Sequence, residues 1–267
     1  MSSARRAALP ASRSIAFDRA AEDYDKTRSL PPGAMRRVQA LLVAELRRRQ
    51  PCVEIGVGTG RLALPLVRAG IRMAGVDLSR PMLMKLRENA GGRAPFPLAM
   101  ADAVALPFRR SSFGAGLASH VLHLIPAWRD ALAELARVLR PGGVVLVEPG
   151  GWGSGWWKEV QEAFCRQAGI SSPFVGTNDP DEVDLAMRSL GARPRRLPAL
   201  AGSRTTTIDE RLALLEKGVF SFTWSLDERA RKRAVERVKH WAEERFGSLA
   251  RPRRTRWTIS WLAYDLR

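Results

Sequence analysis

Cysteine is scarce in this 267-residue chain: Cys52 and Cys165 are the only two, far apart and outside any CxxC pair. That excludes a disulfide framework and a cysteine-built zinc site. Long hydrophobic runs are also missing, and none reaches the roughly 18 residues that a membrane-spanning helix needs. Arg5 and Arg6 stand near the N-terminus, but no apolar segment follows them as in a secretory signal. The expectation is a soluble, cytoplasmic protein with no membrane span.

Lysine is rare as well. Lys26, Lys85, Lys158, Lys217, Lys232 and Lys239 are the only lysines among 44 basic residues, so the net charge of +17 is essentially arginine. With abundant Ala, Gly and Pro, this usage resembles the codon bias of a GC-rich genome. The arginines are scattered over residues 47–49, 109–110, 193–196, 229–233 and 251–256 rather than gathered into one tail. A solvated basic surface accounts for them, and nucleic acid is possible as a partner without being favoured.

What is present is regular alternation. A helical stripe over residues 33–49 (Met35, Val38, Leu41, Leu42, Leu46) follows the Pro31-Pro32-Gly33 breaker. Short apolar runs at 52–57, 71–76, 96–101, 114–119 and 144–147 then alternate with helical patterns at 61–69, 80–89 and 127–139. Alternation of this kind signals βαβ units and a parallel sheet. After Glu148 the regularity lapses until Asn178. It resumes with a helix at 180–190, a strand at 192–197, charged helices at 208–217 and 227–246, and a last strand at 256–264. A last strand reached after so long an excursion is expected to enter antiparallel, leaving the excursion over the ligand crevice.

The decisive segment is Glu54-Ile55-Gly56-Val57-Gly58-Thr59-Gly60, in which a buried strand runs directly into glycines before a helix. Glycine there permits positive φ and close approach of a ligand to backbone. A dinucleotide fingerprint would need its third glycine at position 61, which is Arg61, and no Gly-Lys-Ser/Thr follows as in a phosphate loop. NAD and ATP are thereby disfavoured. Asp77 ends the second strand, 21 residues after Gly56, where a carboxylate can accept from ribose hydroxyls. Asp102 ends the third, where it either faces an adenine or forms a turn.

These segments, together with Val76-Asp77-Leu78-Ser79, Ala101-Asp102-Ala103 and Leu139-Arg140-Pro141-Gly142-Gly143, resemble in order and spacing the motifs of class I S-adenosyl-L-methionine (SAM) dependent methyltransferases. Residues 17–25 resemble the segment preceding the core in the type 11 branch, which includes the ubiquinone and menaquinone methyltransferases. The resemblance covers residues 15–150. It implies a Rossmann-like α/β fold: a mostly parallel seven-stranded sheet with helices on both faces, an antiparallel last strand and a helical C-terminal insertion as a cap. Together with composition and periodicity at the two ends, it divides the chain into a mobile tail (1–14), a helical segment over the cofactor site (15–50), the SAM-binding core (51–150) and the remaining strands with the cap (151–267).

Residue by residue, the resemblance implies that Glu54, Gly56, Gly58 and Gly60 face the methionine and ribose moieties and Asp77 the ribose. Asp102 and Ala103 would face the adenine, flanked by Leu78 and Met82, and Tyr24 and Arg28 would close the site. The product would be S-adenosyl-L-homocysteine, and no metal is called for.

Methyl transfer is an in-line displacement that needs mainly alignment. If the acceptor carries a proton, His120 and His123, placed after the fourth strand beside the expected methyl position, are candidate bases. Either histidine can equally serve a neighbouring carbonyl. Trp152, Trp156 and Trp157, with Phe220, Phe222 and Trp224, either wall a flat apolar acceptor or pack the C-terminal helices. Trp257 and Trp261, spaced by four on the last strand, read as structural. The leading expectation is a small-molecule acceptor, aromatic or quinone-like. An RNA or protein methyltransferase using the basic surface and a non-catalytic SAM-binding module stand as alternatives, and nothing in the sequence sets the acceptor or the oligomeric state.

Overall fold

The structure, a computed structural model, describes residues 14–22, 24–28, 30–150 and 155–267. The tail expected over residues 1–14 therefore lies, except for Ser14, outside the described residues.

In chain order, α1 (Tyr24–Arg28) and α2 (Pro32–Leu46) precede β1 (Cys52–Ile55), α3 (Ala63–Arg68), β2 (Met73–Asp77), α4 (Arg80–Asn89), β3 (Leu98–Met100), β4 (Phe113–Ser119), α5 (Trp128–Val138) and β5 (Leu139–Glu148). The C-terminal part adds α6 (Trp156–Ala168), α7 (Pro180–Ser189), β6 (Arg193–Arg196), β7 (Leu200–Thr206), α8 (Ile208–Glu216), α9 (Glu228–Phe246), β8 (Arg253–Ile259) and β9 (Leu262–Asp265).

The main sheet has the order β3-β2-β1-β4-β5-β9-β6. Strands β1 to β5 pair in parallel, and β9 enters antiparallel between β5 and β6. The expected Rossmann-like sheet with an antiparallel last strand is the one observed. Its central strands are covered on both faces, which is why they read as continuous apolar runs. Val53, Ile55, Val145 and Val147 point into one core with Leu132 and Leu135 of α5. Cys52, Leu117, Val144 and Leu146 point into the other with Leu42 and Leu46 of α2. The strand order reverses between β1 and β4, and the crevice at such a reversal, beyond the carboxyl ends of the strands, is where ligands bind.

Local signals explain the helix starts. Ser79 accepts from the Met82 N–H at the head of α4, Asp179 from the Asp181 N–H at α7, and Asp227 from the Ala230 N–H at α9. Thr207 and Glu210 form a reciprocal capping box on α8.

Three departures from expectation lie in the C-terminal part. Helix α6 falls where regularity was expected to lapse, and it packs with α8 and α9 around Trp157, Phe164, Leu212 and Val235 as a separate apolar cluster. Strand β7 was not expected. The last strand, expected as one piece over residues 256–264, is two: β8 pairs antiparallel with β7 in a separate ribbon, and only β9 joins the main sheet. The break at Ser260-Trp261 buries Trp261, whose carbonyl accepts from the Leu197 N–H at 3.0 Å. Trp257 lies across Gly202 of β7, and both it and Trp261 pack with the core of Leu42 and Leu46, as their structural reading expected, although they belong to different elements.

Candidate active site

At the carboxyl ends of β1, β2 and β4 lies a cavity of about 1040 Å³ that reaches from the glycine loop to the C-terminal helices. The glycines beneath it serve different ends. All three have positive φ. A Cβ on Gly56 would sit 2.5 Å from Val121 Cγ2, and one on Gly60 would sit 2.8 Å from Leu64 Cγ, so both positions are required by the protein's own packing. A Cβ on Gly58 would meet only Met82 Cε, at 3.3 Å, apart from backbone 3.9 Å away. Gly56 and Gly58 line the cavity; Gly60 does not.

Asp77 is held rigidly at the cavity wall. One carboxylate oxygen accepts from the Gly58 N–H and the other from the Ser79 N–H, each at 2.8 Å. Burial raises its pKa against these backbone donors. A carboxylate fixed in this way, with acceptor capacity beyond its backbone donors, suits a vicinal diol. Leu78, Met82, Asp102 and Ala103 continue the wall. Asp102 accepts from Ser14 Oγ at 3.0 Å and from the Val104 N–H at 3.3 Å.

Glu54 lies behind this lining, 3% exposed, with its Oε2 lacking any hydrogen-bond partner. Burial pushes the carboxyl up to about 8, opposed by Arg61 and reinforced by Asp77. A buried carboxyl in that state is costly by itself and fits a cation arriving beside it.

The N-terminal helix α1 is fastened across the glycine loop. Asp25 accepts from Thr59 Oγ1 at 2.6 Å and from Asn89 Nδ2 at 2.8 Å, and Asn89 also donates to the Thr59 carbonyl at 3.1 Å. Tyr24 lines the cavity, with Phe17 edge-on at 5.9 Å. The side chain of Arg28 lies outside the described residues.

His120 faces the cavity with φ of 51°, a left-handed conformation that costs about 1–2 kcal/mol for a residue with a side chain. Its Nε2 stands 2.9 Å from Glu148 Oε2, which also accepts from Ser119 Oγ at 2.7 Å; Arg61 in turn donates to Ser119 Oγ at 3.2 Å. Burial opposes ionisation of Glu148, but His120, Arg61 and Ser119 together draw its carboxyl down to about 2. The imidazole is therefore held by a permanent carboxylate. His123 lines the cavity on the next turn, edge-on to Phe174 at 5.2 Å.

The opposite wall is aromatic. Trp156, Trp157 and Phe220 line it; Trp157 stands 5.8 Å from Phe220, which stacks on Phe222 at 5.6 Å. Trp224 is not in the lining: its Nε1 donates to the Gly218 carbonyl at 2.8 Å and its ring packs 4.6 Å from Phe17, which is. Trp152 lies outside the described residues. Sequence reasoning passed over Glu148, Ser119 and Arg61 around His120, the Asp25-Thr59-Asn89 clasp, and Arg211 in the cap. For Glu148 a signal existed, since it ends an apolar strand as Asp77 does. For the clasp none did, because its members lie 34 and 64 residues apart.

Comparison with known proteins agrees with this architecture. Residues 53–147 match the family model described as a methyltransferase domain. The chain is 31% identical over 186 residues to a malonyl-[acyl-carrier protein] O-methyltransferase of Geobacter sulfurreducens, covering 67% of this chain and 68% of that protein. It is 35% identical over 134 residues to a demethylmenaquinone methyltransferase of Streptomyces avermitilis, covering 49% of this chain and 57% of that one. The solved YcgJ protein of Bacillus subtilis shares the fold, with a TM-score of 0.60 at 17% identity over 88% of this chain and 98% of that one. The chain belongs to the SAM-dependent methyltransferase family and is an enzyme of that class. The residues fit such a cofactor: a carboxylate fixed at the cavity wall in Asp77, a glycine in the lining at Gly58, and an orphaned buried carboxyl oxygen on Glu54.

Proposed function

We propose that the enzyme methylates a small aromatic, quinone-like molecule. The observation that carries this reading is the continuity of one cavity from Gly58 and Asp77 to the aromatic wall of Trp156, Trp157 and Phe220. A flat apolar acceptor suits such a wall. The relative named for demethylmenaquinone lends support through its shared core.

In this reading Asp77 holds the ribose hydroxyls, Asp102 and Ala103 the adenine, and Glu54 the cationic amino end, with Tyr24 closing over them. SAM, when bound, supplies an electrophilic methyl group on a sulfonium. The cap aromatics hold the acceptor so that its nucleophilic atom lies in line with that carbon. With SAM supplying the methyl group, His120 would take the proton that the acceptor loses on methylation. The receiving nitrogen is Nδ1, because Nε2 is committed to Glu148.

The test is transfer of labelled methyl from SAM by the purified enzyme into phenols and hydroquinones, with total RNA and protein offered in parallel. Label in the small-molecule fraction is expected. Label confined to RNA or protein overturns the proposal.

A further inference from the structure

The C-terminal lining of the cavity, from the cap helices and the β7–β8 ribbon, carries charge of one sign among the described residues. Among its described lining residues from Gly155 onward, Arg204, Arg211, Arg254 and Arg256 are cationic and none is Asp or Glu. The lining acids Asp77, Asp102 and Glu148 all belong to the core side, where backbone amides, Ser14 and His120 engage them. The lining is thus uneven: on the core side the acids are accompanied by Arg61, whereas from Gly155 onward the charged lining residues are all arginines.

The four arginines are not equivalent. Arg204, Arg254 and Arg256 are exposed, and Arg254 is aimed by a bond from its Nε to Ser203 Oγ at 2.9 Å. Exposed cations steer an anion toward a site but hold it weakly. Arg211 is different: it is 6% exposed on α8, with its guanidinium 5.2 Å over the ring of Trp157. A guanidinium stacked on an aromatic ring is oriented toward a planar or tetrahedral oxyanion, and charge-assisted bonds to such a group strengthen as water is excluded. The same ring offers its face to a flat acceptor. One wall therefore presents an apolar plate and a buried cation together.

We infer that the methyl acceptor carries an oxyanion, carboxylate or phosphate, as a handle seated on Arg211, with its aromatic portion against Trp157 and its reacting atom toward His120. The inference rests on the reading of the cap as the acceptor pocket. It narrows that pocket's ligand from a flat apolar molecule to an anionic one, and leaves the reacting atom distinct from the handle.

The experiment measures affinities of the enzyme saturated with S-adenosylhomocysteine for matched probes: 2-naphthoate, 2-naphthyl phosphate and neutral 2-naphthamide. Tryptophan fluorescence and calorimetry supply the readouts. At least one anionic probe is expected to bind about tenfold more tightly than the amide, a difference of about 1.4 kcal/mol. Comparing the two anions distinguishes a carboxylate from a phosphate handle. The preference is expected to vanish in Arg211→Gln and to shrink in Arg204→Gln/Arg254→Gln, whose exposed positions do not threaten folding.

Unchanged affinity for S-adenosylhomocysteine in each variant shows that the core has kept its shape. Equal binding of all three probes, or a preference that survives Arg211→Gln and the double variant alike, overturns the inference while leaving the aromatic-acceptor reading intact. Displacement of the anionic probes by a short RNA at lower concentration than by free naphthoate overturns both.

Discussion

Glu148 Oε2 and His120 Nε2 lie 2.9 Å apart, joining the end of β5 to the residue that follows β4. The parallel register sets Ser119 opposite Glu148, so the carboxylate reaches both Ser119 and the imidazole. His120→Gln is expected to lower kcat by about 10²–10⁴-fold while leaving S-adenosylhomocysteine affinity unchanged. Glu148→Gln should cause a smaller loss. Steady-state kinetics beside calorimetry decides this, and full activity in His120→Gln removes the histidine from the mechanism.

The same carboxylate makes a prediction about stability. Burial opposes its ionisation, but its partners hold it near 2 in the folded state, below the ordinary value of 4.5. Its contribution is therefore present above 4.5 and lost as pH falls toward 2. Denaturation of wild type and Glu148→Gln at pH 6 and pH 3 should show the stability gap between them narrowing at the lower pH.

Glu54 behaves oppositely. Burial raises its carboxyl from 4.5 to about 8, so in the ligand-free fold it is largely protonated at neutral pH. Its contribution to stability is full below 4.5 and lost as pH rises through 8. A cation docking beside it favours the ionised form, so SAM binding at pH 7 should release a proton. Calorimetry in buffers of different ionisation enthalpy measures this directly. Glu54→Gln should bind without proton release and resist alkaline unfolding better than wild type. Buffer-independent enthalpy in the wild type would exclude the linkage.

Two neighbouring glycines should respond differently to the same substitution. Gly56→Ala forces a Cβ to within 2.5 Å of Val121 and is expected to destabilise the fold by a few kcal/mol. Gly58→Ala meets nothing closer than the flexible end of Met82 at 3.3 Å, so its melting temperature should fall less while cofactor affinity drops about tenfold or more. Melting curves and titrations of both variants suffice, and equal destabilisation would refute the distinction.

The clasp at Asp25 predicts an effect on cofactor retention alone. Asp25→Ala removes the acceptor shared by Thr59 and Asn89 and should raise the KM for SAM several-fold, with little change in global stability. Hydrogen exchange over α1 should quicken in the variant. Unchanged exchange would mean that other contacts hold the helix.

Much of the core was legible because local rules and tertiary structure agreed there. Pro180 and Ser79 marked helix starts, and the runs at 52–57 and 144–147 were apolar throughout because both faces of their strands are buried. Helix α6 had a readable stripe in Trp157, Val160 and Phe164, but the glycines before it drew the whole stretch toward a loop reading. The division of the last strand had no such marker. Trp257 and Trp261 obey strand spacing, yet one belongs to the β7–β8 ribbon and the other lies beyond the break.

The order of chemical motifs along the chain, and with it the family, is a property of the sequence alone: strand ends, glycines and acids recur at distances that local backbone geometry sets. Which side chains meet is not. The carboxylate behind His120, the Asp25 clasp and the facing of Arg211 with Trp157 join residues 28 to 64 positions apart. Only the sheet register and the packing of α8 against α6 bring them together, because hydrophobic burial specifies faces and volumes without naming the polar partners it encloses.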